Sequence, residues 1–126
     1  MKTKIIDTVL NYKFIFYTYL VLVLLVTIQS YFGGVATFNG LPYTHFNNYI
    51  IFKQSFFHLV YQKDLYALYP SEYWDYYKYS PTFALFMAPL AILPNFIGLL
   101  LWELINALPL FVFRHITCYV QTQDVF

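Results

Sequence analysis

The sequence has one cysteine, Cys118, only four glycines and little charge, with seven Lys and Arg against six Asp and Glu. One cysteine excludes an internal disulfide. None of the glycines falls in a phosphate-loop pattern, so a Gly-rich nucleotide cradle is absent. A net charge of +1 leaves no electrostatic footprint for nucleic acid. The three histidines, His45, His58 and His115, show no ligand spacing with each other or with Cys118, which gives no zinc pattern. Neither an internal repeat nor a low-complexity tract is present.

What fills the space is apolar. Charged residues make up 10% of the chain, against about 25% in ordinary soluble domains, while 60% is hydrophobic and 24% aromatic. A water-soluble chain of 126 residues cannot bury that much apolar surface, so lipid is the simpler solvent.

Phe14–Phe32 carries no charge and is 19 residues long. At about 1.5 Å per residue it covers about 28 Å, close to a hydrocarbon core of about 30 Å. Tyr17, Tyr19 and Tyr31 lie toward its ends, where amphipathic rings prefer the interface. Lys2, Lys4 and Lys13 precede it and favour a cytoplasmic N-terminus. The rival reading is a signal peptide, because Gly34-Val35-Ala36 resembles a small-residue cleavage site. The apolar stretch exceeds the usual signal core of about 7–15 residues, which favours an uncleaved span.

Thr82–Phe113 is too long for one ordinary span of about 20 residues. Pro94-Asn95 is a turn signal within it, so the reading is two helices, about Pro81–Leu93 and about Asn95–Phe113. Pro81 suits a first helical position, and Pro89 should kink the helix it begins. Three crossings would put Arg114 outside, against the positive-inside tendency.

Between the spans, residues 33–80 form a long external loop, a length at which loops tend to be functional. On a helical wheel over Asn47–Gln62, Tyr49, Phe52, Phe56, Leu59 and Val60 share one side, extended by Ile50 and Phe57. Asn47, Asn48, Gln54, Ser55, His58 and Gln62 gather on the other, broken by Ile51, and Lys53 can snorkel. This pattern predicts a helix lying in the membrane interface with its polar face, His58 included, toward water. The Tyr-rich run Tyr66–Tyr79 has two readings: an interfacial aromatic belt, or a wall facing a carbohydrate or lipid phosphate.

Four ordered motifs add to this reading. Asn48-Tyr49 is followed by Asp64-Leu65-Tyr66, then Lys78-Tyr79-Ser80-Pro81, then Ala88-Pro89-Leu90-Ala91-Ile92-Leu93-Pro94, and finally Gly98 with Leu101-Trp102 and Asn106. Over about residues 44–110 this resembles the start of glycosyltransferase family 87, polyprenyl-phosphate-dependent, mannosyltransferase-like membrane enzymes of the GT-C fold. The resemblance implies a multi-pass enzyme of the bacterial inner (plasma) membrane. Such an enzyme moves a hexose, often mannose, from a polyprenyl-phosphate-linked donor to a carbohydrate or glycolipid acceptor on the outer side. Membrane lipid forms the surroundings, no cofactor is evident beyond that donor, and the histidine spacing offers no metal ligand set.

It also implies site residues. In the family the first external loop supplies an acid that takes the proton from the acceptor hydroxyl. Asn48 stands at that position here, and an amide orients a hydroxyl but cannot act as a base. Asn48 is therefore either a substrate-orienting residue or a helix-capping Asn. Asp64 is either an active-site acid or a turn residue, with Glu72 and Asp75 as the other loop acids. Lys78, Tyr79 and Tyr66 are implied substrate contacts, or else interfacial anchors. Glu103 and Asn106 read as packing groups within the last span.

The expectation is thus an all-α membrane protein with about three transmembrane helices, near 14–32, 81–93 and 95–113, and an external juxtamembrane helix. It reads as the N-terminal portion of a membrane hexosyltransferase, inactive alone because most of a GT-C cleft would be missing. The alternative is a small non-enzymatic membrane protein that binds a partner.

Overall fold

A computed structural model of the protein describes residues 11–123. Lys2 and Lys4 lie outside the described residues, as do the side chains of Arg114 and His115. The chain is mostly helical. Helix α1 spans Tyr12–Phe32 and begins where the Asn11 side chain accepts the Lys13 backbone N–H at 3.0 Å. It ends at Gly33, where a Cβ would press on the Gln29 carbonyl and the His45 ring at 2.7 and 2.8 Å.

A hairpin follows, so the protein is not purely α-helical. Strands β1 (Val35–Phe38) and β2 (Leu41–Thr44) pair antiparallel, Val35 opposite Thr44 and Phe38 opposite Leu41. The connection is Asn39-Gly40, with φ of 51° and 79°. A two-residue turn with both φ positive matches the twist of the strands, and Asn-Gly is the dipeptide that tolerates it. That dipeptide is the signal in the sequence that reveals the hairpin.

Helix α2 spans Asn47–Val60. Its C-terminus closes with two backbone bonds, Lys63 N–H to the His58 carbonyl (2.9 Å) and Gln62 N–H to the Leu59 carbonyl (3.3 Å). Gln62 takes φ of 54° there, the left-handed position of a Schellman close. The expected hydration of the polar face holds for Asn48 and Gln62, which are exposed, but not for Asn47, Ser55 and His58. These three are buried together with Ile51, because residues 62–79 fold back over that side. That segment supplies polar partners to Asn47 and His58, while the Ser55 hydroxyl donates to the Phe52 carbonyl at 2.7 Å. Ile51 does not interrupt a wet face; it belongs to this covered stripe. The opposite side packs Tyr49 and Phe52 into the core with Tyr77, Met87, Leu90 and Leu99.

The expected single helix over Pro81–Leu93 is two pieces, α3 (Pro81–Phe86) and α4 (Ala88–Ala91). Ser80 caps α3 by accepting the Phe83 N–H at 3.3 Å, with Pro81 in the first turn. Pro89 has no N–H for the Leu85 carbonyl, and the helix breaks at Met87, whose own N–H is shared between Phe83 and Ala84 carbonyls at 3.2 Å each. At about 1.5 Å per residue neither piece approaches the thickness of a bilayer core.

Helix α5 runs Asn95–Gln123, ten residues past the end expected at Phe113, with Pro109 inside it. Lys53 secures the turn before it, donating at 2.8 Å to both the Leu93 carbonyl and Asn95 Oδ1, rather than snorkelling to water. Helices α1 and α5 pack antiparallel. Phe16 and Tyr19, early in α1, meet Phe111 at 5.4 and 6.1 Å, whereas Tyr31, late in α1, meets Phe96 at 5.3 Å. Lys13 and Arg114 therefore flank the same end of the pair.

Two segments among the described residues are long and apolar enough to cross a membrane, Lys13–Phe32 and Asn95–Phe113, rather than the three expected. Their faces outside the shared seam leave large apolar side chains such as Leu22, Leu25, Leu110 and Phe113 exposed. Residues 33–93 gather at the end where α1 finishes and α5 begins.

Gly98 marks the tightest contact in this arrangement. A Cβ there would overlap the Tyr49 hydroxyl and come within 2.8 Å of the Leu90 carbonyl, the two groups joined by a hydrogen bond of 3.2 Å. Gly98→Ala should cost about 1–3 kcal/mol by overpacking. Thermal unfolding in neutral micelles measures it; an unchanged midpoint would show that Tyr49 can leave its seat without loss.

Candidate functional site

Asn47 begins α2 and is 5% exposed. Its side-chain amide brackets the backbone of Trp74: Nδ2 donates to the Trp74 carbonyl at 2.6 Å, and Oδ1 accepts the Trp74 N–H at 2.9 Å. An amide satisfies a peptide group in this two-way manner because it carries both a donor and an acceptor. The Trp74 ring in turn lies edge-on to Phe38 at 4.8 Å and to Tyr43 at 6.4 Å. Hairpin, loop and α2 are thereby locked together, and the next residue, Asn48, is held at the mouth of a cleft.

That cleft is about 360 Å3 in volume and lies between the start of α2, the end of the hairpin and the first third of α5. Asn48 and Tyr79 both line it, so two residues singled out in the sequence come together. Tyr79 stacks on Phe83 at 5.1 Å and meets Phe52 edge-on at 5.1 Å. Glu103, Asn106 and Trp102 line the same cleft from α5. Glu103 is eight residues beyond Asn95, about 12 Å along the helix. The reading of Glu103 and Asn106 as packing groups missed this. The available signal was an ionisable residue inside an apolar span, which usually faces protein or water. Asn106 donates to the Trp102 carbonyl at 2.9 Å. Glu103 has no ion-pair or hydrogen-bond partner among the described residues.

The other three sequence candidates do not line this cleft. Asp64 makes a turn, accepting the Tyr66 N–H on Oδ1 at 2.9 Å while its carbonyl accepts the Tyr69 hydroxyl at 2.7 Å. Tyr66 donates its hydroxyl to the Tyr79 carbonyl at 3.2 Å and so braces the backbone of a cleft residue. Lys78 pairs with Asp75 at 2.7 Å on the outer surface.

His58, expected in water, is 1% exposed. Its Nε2 lies 2.8 Å from Glu72 Oε2, and its ring packs 4.0 Å from that of Tyr69. Lys63 approaches the other Glu72 oxygen at 3.6 Å. Beside them the Tyr73 hydroxyl is pushed up to about 12, chiefly by burial and then by the Glu72 charge, so it stays neutral. This cluster fastens the loop to α2 on the side away from the cleft. Among the described residues no group of three or more His, Cys, Asp or Glu is placed to hold a metal ion.

Burial lowers the Lys53 ammonium from its ordinary value, and its two acceptors hold it at the α4–α5 turn. The Asp75 carboxyl is held below the usual range, first by its hydrogen bond from Lys78 and then by the Tyr76 N–H. A depressed carboxyl contributes stability above its unfolded pKa of about 4, and that contribution is lost as pH falls through the lower folded value. The pair is exposed, so its contribution lies within about 0–1 kcal/mol. Lys78→Ala should flatten the acid sensitivity below about pH 4 by that amount, read from unfolding midpoints against pH. An undiminished acid loss would assign the sensitivity to another carboxyl.

Comparisons of the chain with protein-family models, with curated proteins and with solved structures find no match.

Proposed function

We propose that the chain is the first part of an integral-membrane glycosyltransferase, and that the cleft between α2 and α5 takes the hydroxyl-bearing acceptor. The observation that carries this reading is the meeting of Asn48 and Tyr79 with a carboxylate, Glu103, in one aromatic-walled cleft. Asn48 orients a hydroxyl, and aromatic faces stack on the apolar faces of sugar rings. The donor is a hexose, mannose in the leading version, linked to a polyprenyl phosphate. The described cleft offers its phosphate no lysine or arginine, only hydrogen-bond donors such as Asn48 and Tyr79. Asp64 takes no part in chemistry in this reading; it shapes the loop.

In this reading α1 and α5 cross the plasma membrane and residues 33–93 sit on the outer side. The short α3–α4 pair dips toward the lipid without crossing, in place of a third span. Two antiparallel crossings return Arg114 to the side of Lys13, which removes the conflict with the positive-inside rule that three crossings create. Reporter fusions to the two chain ends should both report the cytoplasm; a C-terminal reporter on the outer side would restore the three-span topology.

The functional test is photolabelling of the chain in vesicles with a diazirine-bearing lipid-linked hexose. Peptides containing Asn48, Tyr79 or Trp102 should carry the label, and Asn48→Ala should reduce it about tenfold, the effect of one lost hydrogen bond in a desolvated site. Label confined to other peptides would end the glycosyltransferase reading. A second reading, a non-enzymatic subunit that binds partner helices, draws on the exposed apolar faces of α1 and α5. It predicts the same unlabelled cleft together with co-purifying membrane protein.

A further inference from the structure

The charge of the cleft points to a ligand class that the proposed function leaves open. Its walls hold six Phe, Tyr and Trp rings, the His45 imidazole at the exposed rim and one carboxylate, Glu103, with no lysine or arginine. The nearby cations are committed elsewhere. Lys53 bonds Leu93 and Asn95, Lys63 approaches Glu72, and Lys78 pairs with Asp75. A carboxylate within an apolar span is costly unless a positive charge meets it. Ring faces attract cations, most strongly when water is excluded.

Glu103 and Asn106 also line a second hollow of about 290 Å3 on the outside of the α1–α5 seam. The rest of that hollow is formed by Tyr19, Leu22, Val23, Val26, Ala107 and Leu110. Glu103 and Asn106 thus border both the polar cleft and the apolar groove, which places a head site beside a tail site.

We propose that this composite site binds a cationic amphiphile: an ammonium head against Glu103 and the rings, with its hydrocarbon tail along the groove. In the glycosyltransferase reading this makes the acceptor an amine-bearing lipid. The inference rests on that reading only in sharing the cleft as a ligand site; it does not need sugar transfer.

The test uses the purified chain in micelles of a neutral polyoxyethylene ether, titrated with hexyltrimethylammonium, hexyl glucoside and hexyl phosphate. Tryptophan fluorescence is followed, and Trp102→Phe assigns the signal. The expected result is saturable binding of the ammonium probe, weakened about tenfold or more in Glu103→Gln, the scale of one lost charge contact in a desolvated site. Glu103→Lys should reject the ammonium probe and accept the phosphate. Tighter binding of the glucoside, with no effect of Glu103→Gln, would overturn the proposal and leave the sugar reading standing. Binding of none of the three probes would overturn both. Ammonium binding equal in the wild-type chain and Glu103→Gln would reflect partition into the micelle and would also overturn it.

Discussion

The two hydrogen bonds between the Asn47 amide and the Trp74 backbone hold the outer part of the protein in place. They join residues 27 apart in the chain, and they do so at the first turn of α2, where backbone N–H groups have no partner within the helix. With Trp74 fixed, its ring gives the hairpin a surface through Phe38 and Tyr43. The same loop carries Glu72 to His58 and Tyr79 to the cleft. A buried amide and peptide left unpaired would each bear the desolvation cost of a lost hydrogen bond, so the bracket is made or the loop does not close.

A second constraint operates between the outer part and the long helices. Tyr49 crosses from α2 to bond the Leu90 carbonyl and seats its hydroxyl over Gly98, where only a glycine leaves room. Lys53, one turn further along α2, satisfies the carbonyl end of the α4 segment and the side chain that opens α5. Both are polar groups used as fasteners inside largely apolar surroundings, where a satisfied hydrogen bond is strong and an unsatisfied one is expensive. They set the height of α2 against α5, and so the width of the cleft between them. The α1–α5 pair needs no comparable fasteners, since its apolar outer faces suit lipid and its seam closes by ring contacts at both ends.

The site is a product of these two constraints rather than of any one motif. Asn48 and Tyr79 lie 31 positions apart and meet because the loop between them is pinned at Trp74 and braced by Tyr66. Asp64 and Lys78 sit in motifs equally prominent in the chain, but their partners are local, Tyr66 N–H and Asp75, and local partners keep them at the surface. Glu103 shows the reverse case. Nothing near it in sequence satisfies it, and the fold turns it toward a cavity that opens to both a polar and an apolar volume.

Length and composition alone determined the two apolar helices, because a run about 20 long that is almost wholly apolar has few other uses. Local chemistry determined Pro81 as a helix start, Pro94-Asn95 as a turn and Pro89 as a disturbance, expected as a kink where the structure has a break, since each depends on one residue's φ or missing N–H. The apolar half of α2 was legible from its period, but the fate of its polar half was not. Asn47 and His58 have the spacing of a hydrated face, and spacing does not distinguish water from a buried partner supplied by a distant loop. Only the tertiary structure decided that residues 62–79 cover that face, that α1 and α5 run side by side and antiparallel, and that Glu103 shares a cleft with Asn48. The reason is physical: periodicity records which side of an element is apolar, whereas the pairing of polar groups is set by contacts between residues far apart in the chain.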